Sequence, residues 1–124
     1  MSLSNTIDQG FLDKFLTDNT TLYLALSTTT PAKDGTNVTE PTTGAYARED
    51  VSSILSRSGS TISNTSDIVF TTATDSWGTI THGVLYTAAT DGTFVWFGAL
   101  TTPKAVSSGS QCTVLTGELD ITAA

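Results

Sequence analysis

One imidazole, His82, and one thiol, Cys112, stand in this 124-residue sequence, and neither has the neighbours that would make it reactive. A serine nucleophile needs a base within hydrogen-bond reach and a third group to orient that base. Ser and Asp are plentiful, but no Gly-x-Ser-x-Gly elbow occurs. His82 sits beside Gly83 in a strand-like run, so it reads as a hydrogen-bonded strand residue. Cys112 precedes Thr113-Val114 with no basic residue close by. Nothing there lowers its pKa, and a lone cysteine makes neither an internal disulfide nor a thiolate metal site. Glu49-Asp50 offers two carboxylates for glycoside hydrolysis, which needs acids flanking one bond. Adjacent residues on a strand point to opposite faces, so this pair does not flank anything. Asp34, Asp75 and Asp91 fall in loop-like stretches, where carboxylates bind calcium, yet no EF-hand spacing is present. Phosphate-binding glycine loops are absent as well. The expectation is a chain with no catalytic residues, no metal and no cofactor.

Aromatic stacking is the remaining chemistry. Trp77 follows Asp75-Ser76 at a loop-to-strand junction, where a ring is core on the first reading and meets a ligand or partner on the second. Trp96-Phe97 lies in the most apolar run of the chain and reads as core.

The elements that must position these residues have two periods. In residues 6–18, Ile7, Phe11, Leu12, Phe15 and Leu16 form one helical stripe. That segment reads as a helical arm, residues 1–20, ahead of a β domain spanning residues 21–124; it packs on its own domain or, on the sharper reading, docks on a neighbouring subunit. From Leu22 onward the period is two, with Leu22, Leu24 and Leu26 on one face of a half-buried strand. Residues 28–44 contain Pro31, Asp34-Gly35 and Pro41, a long loop of the kind that is functional or mobile. Short strand-like runs then recur to the C-terminus. Asp91-Gly92 marks a hairpin between two of the strongest. Phe94-Val95-Trp96-Phe97 is apolar on both faces, which suggests a central strand. The architecture expected is all-β: an antiparallel β-sandwich, jelly-roll-like, with a short N-terminal helix or arm.

Composition agrees. There are 26 Thr and 14 Ser, charged residues make up 14%, and five Lys+Arg against twelve Asp+Glu give a net charge of −7. Thr favours pleated strands because its Cβ is branched. No basic face exists to neutralise phosphates, so nucleic acid is not an expected partner. No apolar run approaches the ~18 residues of a membrane-spanning helix, so no membrane partner is expected either.

Several strings resemble small virion proteins of tailed bacteriophages. They are Leu22-Tyr23-Leu24-Ala25-Leu26-Ser27-Thr28, Gly44-Ala45-Tyr46-Ala47-Arg48, Trp77-Gly78-Thr79-Ile80-Thr81-His82, and Trp96-Phe97-Gly98-Ala99-Leu100-Thr101-Thr102-Pro103-Lys104. The pattern departs at Gly83-Val84, where the family has an aromatic and a glycine. Such proteins are tail-fibre-like or decorate capsids. The resemblance therefore implies a structural protein of the virion, made in the bacterial cytoplasm and built as a homo-oligomer, a trimer, against the major capsid protein or tail proteins. The leading expectation is a capsid decoration (cement) protein that clamps neighbouring capsid subunits. The alternative is a tail-tip or fibre module that binds a host glycan. Ile7, Phe11 and Phe15 of the arm, with Pro31, Pro41 and Tyr46 of the loop region, are the expected interface residues, and Trp77 the expected ligand or partner contact.

Overall fold

The computed structural model describes residues 5–122, with side chains from residue 10 onward. One helix, α1 (Asn5–Asp18), precedes nine strands: β1 (Tyr23–Ser27), β2 (Glu49–Asp50), β3 (Leu55–Ser58), β4 (Thr61–Asn64), β5 (Ile68–Val69), β6 (Gly78–Tyr86), β7 (Phe94–Val106), β8 (Thr113–Val114) and β9 (Asp120–Thr122). They form a four-stranded sheet, β2-β1-β6-β7, a three-stranded sheet, β3-β4-β9, and a pair, β5-β8. Every pairing is antiparallel, and the architecture is the all-β sandwich expected. One core joins all three sheets: Leu24 and Leu26 of β1, Ile62 of β4, Ile68 of β5, Val114 of β8 and Ile121 of β9 are each buried in it.

The helix belongs to that core. Leu12 is 2% exposed, and Phe15 and Leu16 pack against the same cluster. Arg57 of β3 pairs with Asp13. The helical segment thus packs on its own sandwich, because its apolar stripe finds cover in β3 and β4. Ile7 lies in α1, but its side chain is outside the described residues.

β1 is buried on both faces rather than one. Leu24 and Leu26 point inward, while Ala25 and Ser27 on the other face have no exposure either. Residues 28–44 cover that outer face. The Ser27 hydroxyl donates to Thr29 O (2.7 Å) and accepts from Thr39 N (3.1 Å), and Gly35 lies against the Phe94 ring. The long loop, expected to be functional or mobile, is a packed strap.

The β6–β7 hairpin turns where Asp-Gly predicts. Asp91 and Gly92 both have positive φ, 57° and 76°, which is what a turn matching strand twist requires. The placement of β7 differs from expectation. It is an edge strand, not a central one. Its two apolar faces are satisfied by layers above and below, Phe94 and Phe97 outward against Tyr86 and His82, and Val95, Trp96 and Leu100 toward the core. Burial of faces does not require a hydrogen-bonded neighbour at both edges. The ladder also jumps: Ile80 pairs Lys104, whereas His82 pairs Ala99. Residues 100–103 bulge out opposite Thr81, which with Pro103 interrupts the open edge.

Candidate functional site

Two regions gather aromatic and charged side chains. The first lies where residues 40–48 meet the β6–β7 turn. Gly44 (φ 74°) approaches so closely that a Cβ there would sit 2.8 Å from Asp75 O and from the Trp77 Nε1, so only glycine fits. This approach lets the Trp77 indole N–H donate to Gly44 O at 3.0 Å. Trp77 is 4% exposed and packs edge-on against Tyr46 (5.3 Å) and Phe70 (6.5 Å). The Tyr46 hydroxyl accepts from Leu26 N (3.0 Å) and donates to Glu40 Oε2 (2.7 Å). In this way it extends the edge that the two-residue β2 leaves open.

Arg48 locks the region. Its Nε and Nη2 donate to Glu40 (3.1 and 2.7 Å), and its Nη1 donates to Ala88 O (2.9 Å) and Asp91 O (2.8 Å). Its guanidinium stacks over Tyr86 at 3.9 Å. Burial works against the Arg48 cation, yet the hydrogen bonds and charge of Glu40 hold its pKa above the ordinary value. Burial raises the Tyr46 phenol, and the hydrogen bond to Glu40 raises it further. A cleft of about 360 Å³ opens beside Pro41, Tyr46 and Arg48, but the Glu40, Tyr46 and Arg48 side chains that border it are already engaged with one another. This region is a clamp that pins the strap, not a receptor for a ligand.

The second region is a cleft of about 240 Å³ beneath β7. Leu24, Leu26 and Leu119 form its floor, the half-buried Trp96 its wall, and Glu118 and Asp120 part of its rim. The indole lies back along its own strand over Gly98, where a Cβ would come within 2.5 Å of the ring. The rim is held from β4. Asn64, 2% exposed, donates to Ser66 O (2.9 Å) and Leu115 O (3.0 Å) and accepts from Gly117 N (3.0 Å) and Leu119 N (3.1 Å). All four of its hydrogen-bonding positions are filled, and they set the turn that carries Glu118 and Leu119 to the cleft. Glu118 Oε1 accepts from Leu115 N at 3.3 Å, and Oε2 lies 3.8 Å from Lys104 Nζ. Asp120 Oδ1 accepts from Ser63 Oγ at 3.3 Å.

The expected site residues do not converge. Pro41 and Tyr46 meet at the clamp. Pro31 is buried. Phe11, 63% exposed, lines a shallow cleft on α1 with Lys14, Asp18 and the partly buried Phe15, which no residue of the loop lines. Trp77, read as core or as a ligand or partner contact, is core, while Trp96, expected as core, packs on the core and also borders an open cleft. The reason is the company each keeps: Trp77 has a glycine carbonyl brought to its N–H, and Trp96 has Gly98 two residues on, which clears one side of the strand for the ring. Tryptophan followed by glycine at i+2 in a strand was the available signal. Glu40, Arg48 and Asn64 carried none, since each acts through partners distant in sequence.

The other reactive groups are tied into structure. His82 Nδ1 lies 2.8 Å from Thr81 Oγ1. Burial pushes the Cys112 thiol up. Asp34 Oδ1 accepts from Thr36 Oγ1 (2.7 Å) and N (3.0 Å), which hold its carboxyl below the ordinary value. Burial raises the Glu49 carboxyl, and hydrogen bonds from Ser52 lower that of Asp50. Among the described residues no group of three or more His, Cys, Asp or Glu is placed to hold a metal ion, and no helix is long and apolar enough to cross a membrane.

No curated protein matches this chain. The family described as Podophage GP4 fiber I protein gp80 matches residues 2–122, nearly the whole length. The chain belongs to that family of tailed-phage structural proteins.

Proposed function

From that membership we propose that the chain is a fibre module of a podophage tail, acting by adhesion rather than by turnover and assembling as a symmetric homotrimer with other virion proteins. The observation that carries the reading is the family match, which runs through helix and sandwich alike. The fold supports it. The strongest charged cluster, Glu40–Arg48, is spent on pinning a strap, and the lone imidazole and thiol are occupied by Thr81 and by the core. A packed sandwich with an open cleft walled by Trp96 suits a binding part.

Capsid decoration is the second reading. What favours it is Phe11, held outward on a helix that is itself anchored through Leu12, where a neighbouring subunit would cover it. Cryo-electron microscopy of the intact particle separates the two. Density for this sandwich on the tail is expected. Density at capsid symmetry axes, with none on the tail, would replace the fibre reading by decoration.

A further inference from the structure

We infer that the Trp96 cleft is a saccharide subsite that seats one neutral sugar ring of a bacterial surface glycan. The inference rests on the fibre reading for the source of the glycan, but the cleft stands on its own geometry. Its volume, about 240 Å³, falls below the roughly 300–1,000 Å³ of sites for drug-sized ligands, so it holds one ring and not an extended molecule. Its lining has two characters. Leu24, Leu26 and Leu119 make an apolar floor and Trp96 an aromatic wall, while Glu118 and Asp120 stand at the rim.

A pyranose has the matching pair of surfaces. Its faces carry C–H groups whose slight positive charge meets the negative face of an indole. Its edge carries hydroxyls, which bond to carboxylates about twice as strongly as to neutral acceptors. Each carboxylate accepts at roughly four positions, and the contacts to Leu115 N, Lys104 and Ser63 leave acceptor capacity on both Glu118 and Asp120. Other occupants fit less well. A lipid or plain aromatic group would leave the remaining acceptor positions of the rim acids unfilled. A phosphate or sulfate meets two carboxylates on a chain of net charge −7. A second copy of the chain brings the same negative charge to the same rim, which disfavours docking.

The site is set before a ligand arrives. Gly98 holds the place that the ring covers, and its nearest approach to Trp96 leaves no room for a methyl group. Asn64 holds the opposite rim through both backbone N–H groups of the Gly117 and Leu119 turn.

The test is a ¹⁵N nuclear magnetic resonance titration of the full chain with the methyl glycosides of glucose, galactose and N-acetylglucosamine, at millimolar concentrations. At least one glycoside is expected to move the Trp96 indole N–H resonance and leave that of Trp77 in place. Trp96→Ala and Asp120→Asn are each expected to weaken binding by about tenfold or more. Gly98→Ala, which keeps the indole but displaces it, gives a comparable loss in a chain whose spectrum remains folded. The proposal is overturned if no glycoside moves Trp96, if binding survives Asp120→Asn and Gly98→Ala unchanged, or if benzene enters the cleft while every sugar fails. Sugar binding by a chain found on the capsid would keep the subsite and remove the fibre reading. A chain on the tail that binds no sugar would do the reverse.

Discussion

The two tryptophans of this chain stand in opposite relations to the fold. Trp77 is enclosed by Tyr46, Phe70 and a backbone carbonyl brought within 3.0 Å of its N–H. Trp96 lies on an edge strand, half-buried, with one side toward a cleft. Both sit in strand-like sequence, and both are flanked by glycine, Gly78 after one and Gly98 after the other. The difference is made by residues far away. Gly44 and Tyr46 close over Trp77, whereas the layer that would close over Trp96 ends at the turn of Glu118 and Leu119. A buried aromatic ring gives stability, and an open one bordered by acids offers recognition.

Trp77→Ala breaks the comparison on its structural side. It empties the Tyr46–Phe70 cluster and should cost about 3–5 kcal/mol, the range for truncating a large buried aromatic, measured by denaturant titration. A loss below about 1 kcal/mol would mean that the ring is not core. Arg48→Met follows. Its side chain is 9% exposed against 23% for Glu40, and removing one partner of a buried pair costs about 3–5 kcal/mol. Glu40 regains part of its hydration, so a loss of about 2–3 kcal/mol is expected, with increased proteolytic cutting in residues 28–44 as the strap is released. Trp96→Ala should cost less, about 1–2 kcal/mol, because only part of the ring leaves water on folding. Equal losses at the two tryptophans would erase the distinction.

Alkaline pH sharpens the same boundary. Burial raises the phenols of Tyr46 and Tyr86 above their ordinary value of 10.0. Groups raised in the folded state contribute fully below the unfolded pKa, and the contribution declines as pH climbs through the folded one. The unfolding midpoint should therefore fall above pH 10, with a shallower fall in Tyr46→Phe, as followed by ultraviolet absorbance and circular dichroism. Phe11→Ser should do least to stability, within about 0.5 kcal/mol for an exposed position. It should still reduce self-association in sedimentation if the outer side of α1 is a subunit contact.

Local pattern made much of the fold legible. Alternation in Leu22, Leu24 and Leu26 identified the inner face of β1, the apolar stripe identified α1, and Asp91-Gly92 identified the β6–β7 turn. What local pattern does not carry is the identity of the covering layer. Ala25 and Ser27 read as a solvent face because the strap that buries them is a Thr-rich stretch with no strand signal. Phe94 to Phe97 read as central because apolar residues on both faces report burial of faces, and say nothing of which edges are paired. The stripe of α1 gives no sign of whose surface covers it, its own sandwich or a neighbouring subunit. Tyr46 and Pro41 were found near the same cleft, but Arg48, which fills its partner positions, is an arginine like any other until Glu40, Ala88 and Asp91 converge on it.

The central claim is that Trp96 is partly open to the medium and Trp77 is closed off from it. Acrylamide quenching of fluorescence in two single-tryptophan chains, Trp77→Phe and Trp96→Phe, tests it most directly. The chain retaining Trp96 should be quenched strongly and that retaining Trp77 weakly, with the first also protected by a bound glycoside. Strong quenching of Trp77 together with a shielded Trp96 would contradict the account.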